Sequence, residues 1–207
     1  MAKVLFAGFF GMQKKHTIRY IDLWKKLGSN VVDHEPYELQ DIFRVNAYPI
    51  IREKFCSRQP HYDIVYCISG GSLHMLNLIK AKNSFTFDRI VFDSGPYQFS
   101  VRQAENYAQQ LFPWTKMLPM YSALNMAYKK CTIPLNKEHR DFFLNVNVPK
   151  LILTSKTDLI IDSQFIAEYT KSQSNCTHIQ FATGAHANIY KTNQDEYENA
   201  IFKFLNT

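Results

Sequence analysis

No stretch of this sequence approaches the roughly 20 consecutive apolar residues that a membrane-crossing helix requires, so no segment is expected to span a bilayer. Cysteine is scarce and dispersed: Cys56, Cys67, Cys131 and Cys176 form no C-x-x-C pair, which removes a zinc or redox signature. Their scatter over 207 residues fits a reducing compartment, and Cys67, inside an apolar run, is expected to be a buried free thiol. No basic tract is present. The net charge of +6 is spread over pairs such as Lys14-Lys15, Lys25-Lys26 and Lys129-Lys130. A dispersed excess gives solubility and weak attraction to anionic surfaces rather than nucleic-acid binding. The apolar start up to Met12 is short, is interrupted by Gly8 and Gly11, and lacks a small-residue cleavage pattern after it. It reads as a strand and turn, not as a signal peptide, and the chain is expected to be soluble and cytoplasmic. His16, His34, His61, His139 and His178 show no ligand spacing, so neither a metal nor another cofactor is expected.

Repeats, low-complexity segments and linkers are missing too, which leaves a single domain over 1–207. Hydrophobic residues make up 46% and aromatics 14%, enough for a core filled by large side chains. Strand patterns alternate with helical ones. Val4-Leu5-Phe6-Ala7, Val31-Val32, Asp63 to Ile68, Arg89 to Phe92, Leu151 to Thr154 and His178 to Phe181 are short apolar runs of the kind found in buried parallel strands. Helical spacing occupies His16 to Leu27, closed by Gly28, then Glu38 to Phe55, Leu73 to Lys80, Ser163 to Tyr169 and Glu196 to Leu205. The segment 100–140 breaks this rhythm and reads as a helical cap insertion. The alternation predicts an α/β fold with a doubly wound, mostly parallel, six-stranded sheet. In such sheets ligands bind at the carboxyl ends of the strands.

The third strand runs directly into Ser69-Gly70-Gly71 and then a helix. Cys67-Ile68-Ser69-Gly70-Gly71 is a G-x-S-x-G nucleophile elbow with cysteine at the first glycine. The chemistry needs a sharp turn exposing one hydroxyl, small flanking residues, and a helix N-terminus aimed at the developing anion. A shifted register would make Ser72 the nucleophile, but Ser72 would already lie in the helix. An acid and a histidine are then needed after later strands, in the order Ser, Asp, His. Ser155-Lys156-Thr157-Asp158 follows the fifth strand, and Ala182-Thr183-Gly184-Ala185-His186 follows the sixth. His186 would be the base toward Ser69, oriented by Asp158. Asp162 is an alternative acid or a helix cap. Asp93 is a second alternative acid, better suited to bonding backbone N–H groups near the site. The oxyanion donors would be the N–H of Gly70 and one from Gly8-Phe9-Phe10-Gly11, with Phe9 favoured over Phe10. Phe10, Trp114 and Met117 are assigned to the substrate pocket, which the aromatic cap would complete.

These segments resemble the transmembrane-protein-53-like family (domain of unknown function 829) of the α/β-hydrolase superfamily. The resemblance covers most of the chain. Leu5 to Tyr20 is similar to the family's strand, Gly-Trp-x-Gly loop and following helix, with Phe9 where tryptophan is usual. Ile68-Ser69-Gly70-Gly71 is similar to its Phe-Ser-x-Gly-Gly, and Phe92-Asp93-Ser94-Gly95-Pro96 to its Phe-Asp-Ser-x-Pro. Asp158 and His186 match its acid and histidine positions. The resemblance implies a truncated α/β-hydrolase fold with strand order 2-1-3-4-5-6 and a triad on Ser69, Asp158 and His186. Some animal relatives carry membrane segments, a feature this sequence does not share. The expected activity is a serine esterase or lipase working through an acyl-enzyme on a small-molecule ester or lipid-like substrate. Peripheral membrane contact is compatible with it, and nucleic acid is not an expected partner. The rival reading, motivated by Cys67, is a non-catalytic binding protein on the same fold.

Overall fold

The computed structural model describes residues 1–9, 12–35, 60–72, 75, 79, 85–95, 143, 146–171 and 173–207. In chain order these form β1 (Ala2–Ala7), α1 (Lys14–Lys26), β2 (Ser29–Glu35), β3 (His61–Ile68), β4 (Thr86–Asp93), β5 (Lys150–Ser155), α2 (Ser163–Thr170), β6 (Cys176–Phe181), α3 (Ile189–Thr192) and α4 (Gln194–Leu205). The strands make one six-stranded sheet in the order β2-β1-β3-β4-β5-β6, with every neighbouring pair parallel. All strand pairs among the described residues are parallel, in agreement with the expected mostly parallel sheet. It has the predicted strand order, with its switch point between β1 and β3.

Alternation along the central strands sorts side chains onto two faces. Val4 and Phe6 of β1 join Tyr66, Ile68, Val91, Leu151 and Leu153 under α1 and α4, which contribute Tyr20, Leu23, Trp24, Tyr197 and Ile201. Leu5 and Ala7 face the other way with Val65, Cys67, Phe92 and Ile152, covered by Met75, Phe143 and Ile166. A strand buried on both faces reads as a continuous apolar run, which is why β1, β3 and β5 were legible. β2 extends well beyond Val31-Val32. It is an edge strand with Asn30, Asp33, His34 and Glu35 in it, so apolar runs mark only its middle.

Gly28 adopts φ +76° after α1, as a helix-ending glycine requires. Of the reading Leu73 to Lys80, residues 75 and 79 are described and both are helical. The readings at 38–55 and the cap at 100–140 lie outside the described residues. Among the described residues, no helix is long and apolar enough to cross a membrane.

Candidate active site

β3 ends at Ile68, and residues 70–72 already belong to a helix, so the chain must reverse within Ser69. Ser69 takes φ +52°, a left-handed conformation that a side-chain-bearing residue adopts only under constraint. The Ser69 N–H donates to the Asp93 main-chain carbonyl at 2.8 Å, which pins the turn to β4. Gly71 is required by contact. A Cβ there would strike the Ala7 carbonyl oxygen and come within 2.6 Å of that of Gly8. The loop after β1 thus packs its Gly8–Phe9 peptide against the start of the elbow helix. Phe9 itself is half-buried, tilted against the His16 ring at 5.7 Å between centroids.

His186 arrives from the loop between β6 and α3. Its Nε2 lies 2.5 Å from Ser69 Oγ, and its Nδ1 lies 2.9 Å from Asp158 Oδ2. A carboxylate only accepts, so Nδ1 carries the proton toward Asp158 and Nε2 is left to accept from the Ser69 hydroxyl. Asp158 is held in turn: its Oδ1 accepts the N–H groups of Ile160 at 2.8 Å and Ile161 at 3.1 Å. Thr157 ties the acid loop to the histidine loop, because its Oγ1 donates to the Gly184 carbonyl and accepts the Gly184 N–H. Sequence reasoning named Ser69, Asp158 and His186 and the structure brings them into one hydrogen-bonded chain, 117 residues from end to end in sequence.

The alternatives fall elsewhere. Ser72 Oγ is fully buried, faces Gly95, and has no hydrogen-bond partner among the described residues. Asp162 caps α2, accepting from the N–H groups of Gln164 and Phe165. Phe10, Trp114 and Met117 lie outside the described residues. Pairing of β3 with β4 gathers His61, Asp63 and Asp88, with ligand atoms within 4.8 Å of one another. Spacing along the chain gave no sign of this grouping. It sits at the amino ends of the strands, away from Ser69.

Asp93 ends β4 directly beneath the site and is fully buried. Burial pushes its carboxyl up to about 6; bonds from the Tyr197 and Ser94 hydroxyls and the nearby His186 pull against this, while Asp158 adds to it. Tyr66 on β3 and Tyr20 on α1 complete its surroundings, both hydroxyls raised by burial and by the Asp93 charge. An acid whose pKa is raised on folding contributes stability at low pH that is lost as pH rises through the folded value. From pH 4 to pH 7 this group should cost the native state about 2 kcal/mol. Chemical denaturation of Asp93→Asn should therefore show its stability relative to the wild type improving by about that amount over the same interval. A difference that stays flat with pH would show that Asp93 does not titrate there.

No protein-family model matches the chain, and no curated protein matches its sequence. Solved structures do match. The chain is similar to an esterase of Pyrococcus furiosus at 13% identity and a TM-score of 0.63, covering 99% of this chain and 81% of the esterase. It is similar to a monoacylglycerol lipase of Paleococcus ferrophilus at 14% identity and a TM-score of 0.57, covering 98% and 93%. A bromoperoxidase of Bacillus anthracis gives 14% and 0.59, covering 99% and 91%. At these identities the likeness shows the fold, which is that of the α/β-hydrolases, in a truncated six-stranded form.

Proposed function

We propose that this chain is a serine hydrolase that cleaves carboxylic esters through an acyl-enzyme. One observation carries the reading: a serine at a left-handed strand-to-helix turn, 2.5 Å from a histidine nitrogen whose other nitrogen meets a buried aspartate. All three sit at the carboxyl ends of parallel strands, in the chain order Ser, Asp, His. The similarity to an esterase and a lipase supports the same reading.

In this mechanism Ser69 Oγ attacks the ester carbonyl while its proton passes to His186 Nε2. Asp158 keeps the Nδ1 proton in place and stabilises the imidazolium that forms. The N–H groups of Phe9 and Gly70 hold the carbonyl oxygen as it becomes an anion, an arrangement supported by the close packing of Gly71 on Gly8. The alcohol leaves with the proton from Nε2. Water then repeats the attack on the acyl-serine, and His186 again takes and returns the proton.

Phe10, Trp114 and Met117 are proposed to line the acyl pocket, with 100–140 as a cap over the strand ends and 1–207 as one domain around it. The Asp-Ser-x-Pro and Ser-Gly-Gly matches support placing the chain in the transmembrane-protein-53-like family.

A p-nitrophenyl ester series, from acetate to palmitate, tests the reading. At least one member should be turned over with saturation. A folded protein that hydrolyses none of them above the buffer blank would overturn the esterase reading and favour a binding protein.

A further inference from the structure

The last strand-to-helix loop must hold an imidazole in register with a hydroxyl carried by another strand. Three residues with side chains take positive φ in the described structure: Ser69 at 52°, Ser94 at 52° and Ala187 at 54°. They carry the nucleophile, the residue just past β4, and the neighbour of His186. A hydrogen bond joins Ser94 directly to Ala187, and Asp93 links Ser69 to Ser94. Ser94 Oγ lies 3.0 Å from the Ala187 N–H. An amide N–H can only donate, so the serine oxygen accepts there and its own proton is free for Asp93 Oδ1, 2.9 Å away. The other Asp93 oxygen accepts from the Tyr197 hydroxyl at 2.7 Å, and Tyr197 meets the Tyr66 hydroxyl at 2.7 Å. The Asp93 main-chain carbonyl accepts the Ser69 N–H, and the Ser94 N–H donates to Leu153 of β5 at 2.9 Å. Tyr20 of α1 donates to the Ala187 carbonyl from the other side, at 3.4 Å.

We infer that Ser94, locked in place by Asp93 and Tyr197, is a positioning residue that fixes His186 over Ser69. The inference rests on the hydrolase reading and adds to it. Ser94 is fully buried, so it acts through the loop and not by touching substrate. The same dipeptide that anchors the nucleophile's backbone also anchors the base's backbone. The two partners of the proton transfer are thereby referred to a common point at the end of β4. Proton transfer is sensitive to such placement: an error of about 1 Å costs on the order of a hundredfold. Ground-state binding of an ester makes no use of the imidazole position, so the effect belongs in kcat.

Ser94→Gly in the full chain is the chosen variant. Glycine accepts the left-handed φ without strain and removes only the hydroxyl. It should lower kcat for the best ester by roughly ten- to a hundredfold while KM stays within about twofold. Wild-type kcat, or a loss confined to KM, would overturn the inference. Tyr197→Phe removes the bond to Asp93 and leaves Ser94 in the chain; it should lower kcat in the same direction by a smaller factor. If Ser94→Gly fails to fold, an unchanged kcat in Tyr197→Phe overturns the inference. Hydrogen exchange separates this from a failure of the hydrolase reading. In Ser94→Gly, peptides covering 183–190 should exchange faster than in the wild type, with β1 unchanged. Equal exchange of that loop overturns the inference even if the wild type proves to have no esterase activity.

Discussion

Replacing Ser69 with alanine should abolish ester turnover, lowering kcat on the order of 10⁶-fold, to the level left by binding and oxyanion contacts alone. The size follows from the covalent route. Without Oγ there is no acyl-enzyme, and His186 Nε2 loses the only nucleophile the geometry offers it among the described residues. Ser72 cannot substitute. Its hydroxyl is buried against Gly95, one helical turn inside the elbow. Cys67 cannot substitute either, because it is fully buried in β3 and burial pushes its thiol well above the usual range, away from the thiolate form. The fold should be little affected, since the Ser69 N–H still donates to the Asp93 carbonyl and only the Oγ bond to His186 is lost. Steady-state kinetics on the best ester and a thermal melt check both halves. Residual turnover within a hundredfold of the wild type would remove Ser69 from the mechanism.

Asp158→Asn should lower kcat by about four orders of magnitude with a KM within a few-fold of the wild type. The carboxylate has two separate tasks. Oδ1 accepts the N–H groups of Ile160 and Ile161, and an asparagine oxygen can continue to do so. Oδ2 accepts from His186 Nδ1, and there the amide NH₂ would donate instead. Nδ1 would then have to accept, forcing the ring proton onto Nε2. An Nε2–H pointed at Ser69 cannot take the serine proton. The variant therefore keeps the loop and loses the tautomer, which separates a chemical from a structural role. Asp93 cannot take over, because both its oxygens are engaged by Ser94 and Tyr197. A loss of less than tenfold would mean that Asp158 does not orient the base.

Apolar runs and punctuation were enough to find the sheet. Val4 to Ala7 and Leu151 to Thr154 are buried on both faces, and burial of that kind writes itself into sequence as continuous apolar residues. The loops of the candidate site were legible because a strand followed by Ser-Gly-Gly, by Asp158, or by His186 is a local pattern. What escaped the sequence was everything set by contacts between distant segments. The edge strand β2 reads Ser-Asn-Val-Val-Asp-His-Glu, so only its two valines form an apolar run. α3, with four residues, is too short to show a period. Tyr20 and Tyr197 fall within the helical spacings of His16 to Leu27 and Glu196 to Leu205, and nothing local shows that their hydroxyls reach Ala187 and Asp93. Asp93-Ser94 stood out in the sequence, but its partner Ala187 lies 93 residues beyond Ser94. The His61, Asp63 and Asp88 grouping likewise depends on the pairing of β3 with β4.

The most direct measurement is labelling of the folded wild-type protein with a fluorophosphonate probe, followed by mass mapping of the modified peptide. These reagents react with a serine hydroxyl only when a base and an anion-stabilising site act on it. Stoichiometric modification of Ser69, unchanged in Ser72→Ala and missing in Ser69→Ala, is the expected result. Modification of Ser72 instead, or no modification of a folded protein, would overturn the assignment of Ser69 as an activated nucleophile.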